Sequence, residues 1–335
     1  MNKFNKFYNN ISEYYSNNIV TNFSPSNGYR LRCEFGYYNN SYLMHKNDKK
    51  IYLETFENAA SCIQDLMPKI LNQININESL KEKLFQINFR SNVNDDVMVS
   101  LIYHKKIDKN LIDIIKDISK YLKISFILRS KNYLYSTEST YFIDYIHNDA
   151  FKIYQTDNCF FQPNKFILPK MINTVISLID NPKDLLELYC GVGTFTLPLS
   201  KIFIKILATE NNRNSIKCLN KAIITNNINN ISNSRLSSNE VADLFMGKIF
   251  KRMGDINLSD YNFSHVLVDP PRSGLDDKTI EIIKNFKNII YISCNPETYI
   301  DNIKSLTGHN VKYVELFDQF PNTDHLEIIS LLSAK

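Results

Sequence analysis

The feature that most constrains the fold is a repeated alternation of apolar and helical segments in the second half of the chain. The apolar segments are short and nearly uninterrupted: DLLELYC, KILATE, HVLVDP and IIYISC. Each is followed by a stretch with helical character, such as SIKCLNKAIITNN or PETYIDNIKSL. Continuous apolar runs are typical of strands that are covered on both faces. The alternation therefore predicts βαβ units and an α/β fold with a mostly parallel, doubly wound sheet.

The first half of the chain has a different texture. Strand-like segments such as YRLRCEFGYY and VMVSLIYH are mixed with helical ones such as NLIDIIKDISKYLK. That mixture is typical of an α+β domain with a mostly antiparallel sheet. We predict an N-terminal α+β domain over residues 1–155 and a C-terminal domain over 156–335, and we leave open whether the first helix packs on the second domain. A chain of 335 residues is long enough for two such cores.

Composition excludes several classes of protein. With 44% hydrophobic and 22% charged residues and no run of about 18 apolar residues, the chain is expected to be soluble. The polar N-terminus lacks the apolar core of a secretory signal, so a cytoplasmic location is expected. The six cysteines include no C-x-x-C pair and no zinc-type spacing with histidine, which argues against disulfides, a metal and an iron–sulfur cluster. The net charge of +4 favours an anionic partner weakly.

Doubly wound sheets bind ligands at the carboxyl ends of their strands, and polar motifs follow several predicted strands here. In ELYCGVGTF, Gly191 and Gly193 allow a tight turn and a close approach to a ligand. A dinucleotide fingerprint would have a third glycine where this chain has Thr196. Glu210 ends KILATE, where an acid can accept hydrogen bonds from ribose hydroxyls. Taken singly, each motif is also compatible with an ordinary turn or helix start; together they favour S-adenosylmethionine over NAD.

Two further strands end in a charged or reactive residue. Asp269 ends HVLVD, and Pro270 and Pro271 stiffen the following loop, which suits methyl transfer to a planar base that must be held close. Cys294 ends IIYISC at the same predicted edge. It is either a small buried residue or a nucleophile, and a nearby cation such as Arg272 would favour the reactive thiolate.

A polar segment, FDQFPNTDHLE, precedes the last apolar run of the chain. Glu327 is the candidate base for a mechanism that requires one, and a solvated surface charge is the alternative. His325 is better explained as a hydrogen-bonding or packing residue than as a catalyst.

The motifs ELYCGVGTF, VDPPRSGLD, YISCNPET and FDQFPNTDHLE together resemble the RNA uracil-C5-methyltransferase family, in detail its bacterial tRNA-modifying members. YRLRCEF, KLFQINF, SLIYHKKID and FFQPN extend the resemblance from about residue 29 to the C-terminus. The resemblance implies a Rossmann-like class I methyltransferase domain after an N-terminal RNA-binding domain. Relatives that act on ribosomal RNA often carry a TRAM domain and a four-cysteine iron–sulfur cluster. Neither is expected in this sequence, which favours tRNA as the substrate.

The resemblance also implies roles for individual residues. Cys294 matches the nucleophile that adds to C6 of the target uridine, after which C5 takes the methyl group of S-adenosylmethionine. Glu327 matches the base that removes the C5 proton. Thr194 occupies a cofactor-contact position where the family usually has asparagine. The other matched cofactor-binding positions are Gln162, Tyr189, Glu210 and Asp269.

The implied substrate is a uridine in the T loop of tRNA, which becomes 5-methyluridine after the base flips out of its stack at a cost of roughly a few kcal/mol. The tRNA-like part of tmRNA is a second candidate substrate. We expect a monomer that has no DNA, membrane or metal partner. Three alternatives stay open: a 23S rRNA uridine methyltransferase, an RNA cytosine-C5-methyltransferase and a non-catalytic tRNA-binding chaperone. Candidate phosphate contacts in the N-terminal half are Arg30, Arg32, Lys105 and Lys106.

Overall fold

The computed structural model describes residues 3–46 and 48–335. The helices are α1 (Lys3–Ile11), α2 (Ser61–Asn75), α3 (Glu78–Lys81), α4 (Lys109–Leu122), α5 (Leu168–Ser177), α6 (Thr196–Leu199), α7 (Arg213–Thr225), α8 (Ser238–Phe245), α9 (Asp277–Ile283) and α10 (Pro296–Ser305). The strands are β1 (Val20–Asn22), β2 (Arg32–Tyr38), β3 (Ser41–Lys46), β4 (Lys49–Leu53), β5 (Leu84–Ser91), β6 (Val97–Tyr103), β7 (Ser125–Ser130), β8 (Tyr133–Ser136), β9 (Phe142–Ile146), β10 (Phe151–Gln155), β11 (Asp184–Leu188), β12 (Lys205–Thr209), β13 (Ile231–Ser234), β14 (Phe263–Val268), β15 (Asn288–Ser293), β16 (His309–Phe317) and β17 (Glu327–Ala334). In this described part of the chain, no helix combines the length and the apolar composition that a membrane crossing requires.

The chain forms two compact units, and they do not divide at residue 155. The larger unit contains the N-terminal segment through Ser24, then Tyr145–Gln162 and Phe166–Lys335. The smaller unit contains Pro25–Asp144 and Pro163–Lys165. The chain therefore enters the larger unit, leaves it for the smaller one and returns, with a three-residue excursion before α5.

Helix α1 explains why the N-terminal segment belongs to the larger unit. Its apolar residues Phe4, Phe7 and Ile11 recur at helical spacing and are buried in that unit's hydrophobic core. The Phe7 ring lies 6.0 Å from the ring of Tyr299 in α10. Strand β1 then pairs in parallel with β16 at the edge of the sheet.

The sheet of the larger unit has the order β1-β16-β17-β15-β14-β11-β12-β13. Strands β11 to β15 pair in parallel, and β17 is antiparallel to both of its neighbours. All five residues of β11 are buried, including the acidic Asp184 and Glu187. The order reverses between β11 and β14, which is where such sheets bind ligands. The predicted α/β fold with a mostly parallel sheet is confirmed.

The smaller unit is built on a sheet with the order β4-β3-β2-β5-β6-β7-β8. Its pairs are antiparallel except β6 and β7, which run parallel and are connected through α4. Helix α4 is capped by Asp108, whose carboxylate accepts a hydrogen bond from the backbone N–H of Leu111 at 2.8 Å. The apolar residues of α2 and α4 share one core with those of the sheet. This is the predicted α+β architecture with a mostly antiparallel sheet.

Candidate active site

The loop after β11 adopts a tight turn that its sequence permits. The backbone φ is +60° at Tyr189, +56° at Gly191 and +98° at Gly193. Glycine adopts positive φ at little cost, whereas Tyr189 is held there by its surroundings. At Gly193 a Cβ atom would lie 2.6 Å from Cδ1 of Leu219. Glycine at this position therefore allows α7, which carries Leu219, to pack closely against the loop.

Glu210 follows β12 and fixes the same loop. Its Oε2 accepts a hydrogen bond from the backbone N–H of Gly191 at 3.1 Å, and its Oε1 accepts one from the N–H of Asn212 at 2.6 Å. Asn212 in turn caps α7 by accepting from the N–H groups of Asn214 and Ser215. Two hydrogen bonds use about half of the acceptor capacity of a carboxylate. The remaining capacity is available for ribose hydroxyls, as predicted for an acid at this strand end.

The loop after β14 is held by α10. Asn302 Oδ1 accepts hydrogen bonds from the N–H of Leu275 at 2.8 Å and from the hydroxyl of Tyr291 at 2.7 Å. Asn295 Nδ2 donates to the carbonyl of Arg272 at 2.9 Å. Asp269, directly after the strand, is half-buried; burial and the nearby charge of Glu210 raise its pKa to about 7.

The register of two antiparallel strands brings the two catalytic candidates together. Ser293, the last residue of β15, pairs with Ile328 of β17. Cys294 and Glu327 are the next residues of this register, one step beyond that pair. The chain then turns away from the thiol, because Asn295 caps α10 by accepting from the N–H of Glu297.

These strand ends meet at a cavity of about 650 Å³ in the larger unit. Of the predicted site residues, those that line it are Gln162, Tyr189, Glu210, Asp269, Cys294 and Glu327. Thr194 is buried and is not among the described residues that line the cavity. Its predicted contact with the cofactor therefore does not follow from this geometry.

Two aromatic residues of the cavity wall were not predicted from the sequence. Phe160 is 62% exposed, which is unusual for phenylalanine. Phe320 lies in the loop between β16 and β17 and also lines the cavity. Both belong to motifs of the resemblance, FFQPN and FDQFPNTDHLE. Aromatic residues in those motifs were the available signal, because stacking on a base requires an exposed ring.

A second cavity, of about 450 Å³, shares Cys294 and Arg272 with the first. Its wall also includes Lys3, Lys6 and His325, and Arg272 Nη2 lies 2.9 Å from His325 Nε2. Cys294 thus borders two cavities. The first cavity includes four of the predicted cofactor-binding residues, and the second includes several cationic side chains.

Burial dominates the electrostatics of the catalytic candidates. It raises the pKa of Glu327 to about 8; the charge of Asp269 adds to this rise and the guanidinium of Arg272 opposes it. Burial, followed by the charges of Glu327 and Asp269, raises the pKa of the Cys294 thiol to about 11. Arg272 does lower the pKa of this thiol, as expected from the sequence, but its effect is outweighed. Arg272 alone therefore does not bring the pKa of this thiol below its ordinary value.

The candidate phosphate contacts lie in the smaller unit, and two of them have carboxylate partners there. Arg32 forms an ion pair with Glu34, and Lys105 forms one with Glu82 at 3.0 Å. Arg30 Nε donates to the carbonyl of Arg32 at 2.9 Å. A phosphate group would have to replace these carboxylates as the partner of Arg32 and Lys105.

The fold and the cavity are those of a Rossmann-like methyltransferase. A solved structure with the same fold is that of the Pyrococcus abyssi tRNA (uracil-54, C5)-methyltransferase in complex with S-adenosyl-L-homocysteine. It has a TM-score of 0.79 and 19% identity, over 98% of this chain and 82% of that one.

Comparison of sequences identifies the family. The family model for tRNA (uracil-5-)-methyltransferases matches residues 1–335. A tRNA/tmRNA (uracil-C(5))-methyltransferase of Campylobacter concisus is 40% identical over 336 residues, covering 97% of this chain and 91% of the relative. One of Campylobacter lari is 43% identical over 328 residues, covering 95% and 94%. The chain belongs to the tRNA (uracil-5-)-methyltransferase family.

Proposed function

We propose that this protein transfers the methyl group of S-adenosylmethionine to C5 of a uridine in the T loop of tRNA, and that tmRNA is a second substrate. The observation that carries the proposal is the cavity that brings Cys294 and Glu327 to one edge of the sheet with the cofactor-binding candidates. The names of the bacterial relatives support tRNA and tmRNA as substrates, and that of the archaeal structure supports uracil 54 as the target.

The cavity has the chemistry that S-adenosylmethionine requires. Glu210 is oriented by two backbone hydrogen bonds and retains acceptor capacity for a ribose. Asp269 is a half-buried and Glu327 a buried carboxyl group, both with a raised pKa, and a positively charged ligand would offset the cost of their ionisation. When bound, the cofactor supplies a methyl group on a positively charged sulfur. We assign Gln162 and Tyr189 to its binding as well, because both line this cavity.

Cys294 and Glu327 divide the chemistry between them. The Cys294 thiol gives up its proton to solvent and its Sγ atom forms a bond to C6 of uracil, which makes C5 electron-rich enough to take the methyl group from the cofactor's sulfur. That sulfur keeps the electrons of the broken bond and becomes a neutral thioether. Glu327 then takes the proton from C5, and the electrons of that C–H bond restore the double bond as the Sγ–C6 bond breaks. A pKa of about 8 gives Glu327 the basicity that suits a general base near neutral pH.

We assign RNA binding to the smaller unit. Its sheet and its cationic side chains Arg30, Arg32, Lys105 and Lys106 support this assignment, since phosphate contacts position a nucleic acid. We propose that the protein acts as a monomer. A cytoplasmic location follows from a tRNA substrate, and we propose no DNA or membrane partner.

The test incubates the purified protein with unmodified tRNA and methyl-labelled S-adenosylmethionine, and nucleoside analysis locates the label. The expected product is 5-methyluridine at the T-loop uridine. Label in cytosine, or label in ribosomal RNA with none in tRNA, would refute the substrate assignment. A T-loop uridine-to-cytidine tRNA serves as the negative control.

Variants separate the two catalytic roles. Cys294→Ala should abolish both methylation and the covalent RNA adduct, whereas Cys62→Ala, at another partly buried cysteine, should retain both. Glu327→Gln should form the adduct and transfer the methyl group but release product slowly, so a methylated adduct accumulates on denaturing gels. Glu281→Gln, on the exposed side of α9, is the matched control. Normal turnover by Glu327→Gln would show that another group removes the proton.

A further inference from the structure

Lys3, the first residue of α1, directs its ammonium group at the loop between β16 and β17. Its Nζ atom donates hydrogen bonds to Asp318 Oδ1 at 2.6 Å, to the carbonyl of Phe320 at 3.2 Å and to the carbonyl of His325 at 2.9 Å. An ammonium group has three N–H donors, and these three acceptors match them. The side chains of Lys3 and Asp318 are 10% and 11% exposed, so this is a shielded ion pair.

The loop that Lys3 contacts carries part of the cavity wall. It spans residues 318–326, Phe320 lines the cavity and Glu327 follows the loop directly. At the start of the loop, the N–H of Asp318 donates to the carbonyl of Asn22 at 2.8 Å. Within it, Gln319 Nε2 donates to Gln162 Oε1 at 2.6 Å. Lys3 donates hydrogen bonds to the carbonyls of residues 320 and 325, which lie on either side of residues 321–324 in this loop.

The direction of the Glu327 carboxyl depends on this backbone. Its Oε2 atom is buried and has no hydrogen-bond partner among the residues that the structure describes. No hydrogen bond from that part of the chain to this oxygen orients the side chain, so its direction follows from the backbone, which pairs with Phe317 of β16 and continues from the loop. Lys3 can hold that backbone firmly, because α1 is fixed in the core by Phe4, Phe7 and Ile11.

We propose that Lys3 is a positioning residue for the removal of the C5 proton by Glu327. It holds the carbonyl of His325, two residues before Glu327, at a fixed distance from the start of the loop at Asp318. The inference rests on the proposed function and adds to it that a side chain of the N-terminal helix sets the rate of the last chemical step. Lys3 borders the second cavity with Cys294, but it is not among the charges that shift the pKa of that thiol, so adduct formation should not depend on Lys3.

The experiment compares Lys3→Met with the wild-type protein in single-turnover reactions on unmodified tRNA. A misplacement of about 1 Å can slow a step by about a hundredfold. The expected result is product release slowed about tenfold to a hundredfold, with a matching rise in the methylated covalent adduct on denaturing gels. Lys284→Met is the matched control, because Lys284 forms an exposed ion pair with Glu281 at the end of α9 remote from the carboxyl ends of the strands. It should behave as the wild type does.

A second variant separates positioning from folding. Lys3→Met leaves the carboxylate of Asp318 shielded and unpaired, which lowers stability. Lys3→Met combined with Asp318→Asn removes that charge, and the adduct should still accumulate. Lys3→Arg keeps a cation and should return the adduct fraction toward the wild-type value.

Two outcomes would count against the idea, and they are distinguishable. A fall in methylation without any rise in the adduct fraction, in both the single and the double variant, would show that Lys3 contributes to folding alone. Absence of 5-methyluridine with the wild-type protein would instead refute the proposed function. An adduct fraction that rises in Lys3→Met but not in Lys284→Met supports the positioning role.

Discussion

Replacing Glu327 by glutamine should change how the stability of the protein depends on pH. Burial raises the pKa of Glu327 from an ordinary 4.5 to about 8, so the folded state binds this proton more tightly than the unfolded state does. The contribution of this bound proton to the free energy of unfolding is therefore complete below about pH 4.5. It is lost as the pH rises through about 8. The loss amounts to about 1.4 kcal/mol per pH unit, or about 4 kcal/mol between pH 5 and pH 8.

Glutamine has nearly the same shape and does not titrate, so Glu327→Gln should lack this loss. Urea unfolding at pH 5, 6, 7 and 8 without cofactor, followed by circular dichroism, measures the free energy of unfolding of both proteins. The comparison uses the unfolding transition of the larger unit, because that unit contains Glu327. The variant should gain stability over the wild type steadily with pH, whereas Glu281→Gln, 58% exposed on α9, should show no such trend. A difference that is equal at pH 5 and pH 8 would refute the reasoning.

Two further predictions concern the neighbouring loops. Gly193→Ala should destabilise the larger unit by about 1–3 kcal/mol more than Gly247→Ala does. Both glycines have positive φ, but only at Gly193 would the new Cβ meet Leu219, at 2.6 Å. Thermal unfolding compares the two variants, and equal losses of stability would contradict the packing argument. Arg272→Met should raise the pKa of the Cys294 thiol further, because the guanidinium lowers it. Iodoacetamide should then alkylate Cys294 more slowly at pH 9, and faster alkylation would show that Arg272 does not act through its charge.

The rim of the site could be predicted from the sequence because of one simple pattern. Buried parallel strands are mostly apolar, so Glu210, Asp269 and Cys294 are conspicuous as the polar or reactive residues that end such runs. Parallel strands also share one carboxyl edge, which brings these ends together without any knowledge of the loops. The structure places all three at one cavity.

The pairing of Cys294 with Glu327 was not available from that pattern. It depends on β17 lying antiparallel between β15 and β16, and an apolar run does not reveal its direction or its neighbours. The resemblance to the family supplied this pairing. The pKa of the thiol depends likewise on carboxyl groups that are distant in sequence, so its rise could not be read from the residues near Cys294.

The structural positions of β1, Thr194 and Lys3 could not be predicted from the sequence, because each depends on distant parts of the chain or on how a loop packs. Strand β1 has three residues, too few for any periodicity, and its place in the sheet is set by β16. Thr194 was carried over by resemblance as a cofactor contact, but its burial depends on how the loop packs. Lys3 belongs to none of the motifs, because its proposed role depends on a loop that lies more than three hundred residues later in the chain.

The position of α1 and β1 has a consequence for biosynthesis. Val20 pairs with Glu315, so the first strand of the sheet waits for a partner about 295 residues later. At about 5–20 residues per second, that wait is roughly 15–60 s on the ribosome. Pro25–Asp144, which contains nearly all of the smaller unit, is complete well before then and is free to fold. The nascent chain therefore passes through a stage with its proposed RNA-binding part formed, its first strand still without a partner, and Glu327, its proposed catalytic base, not yet synthesised.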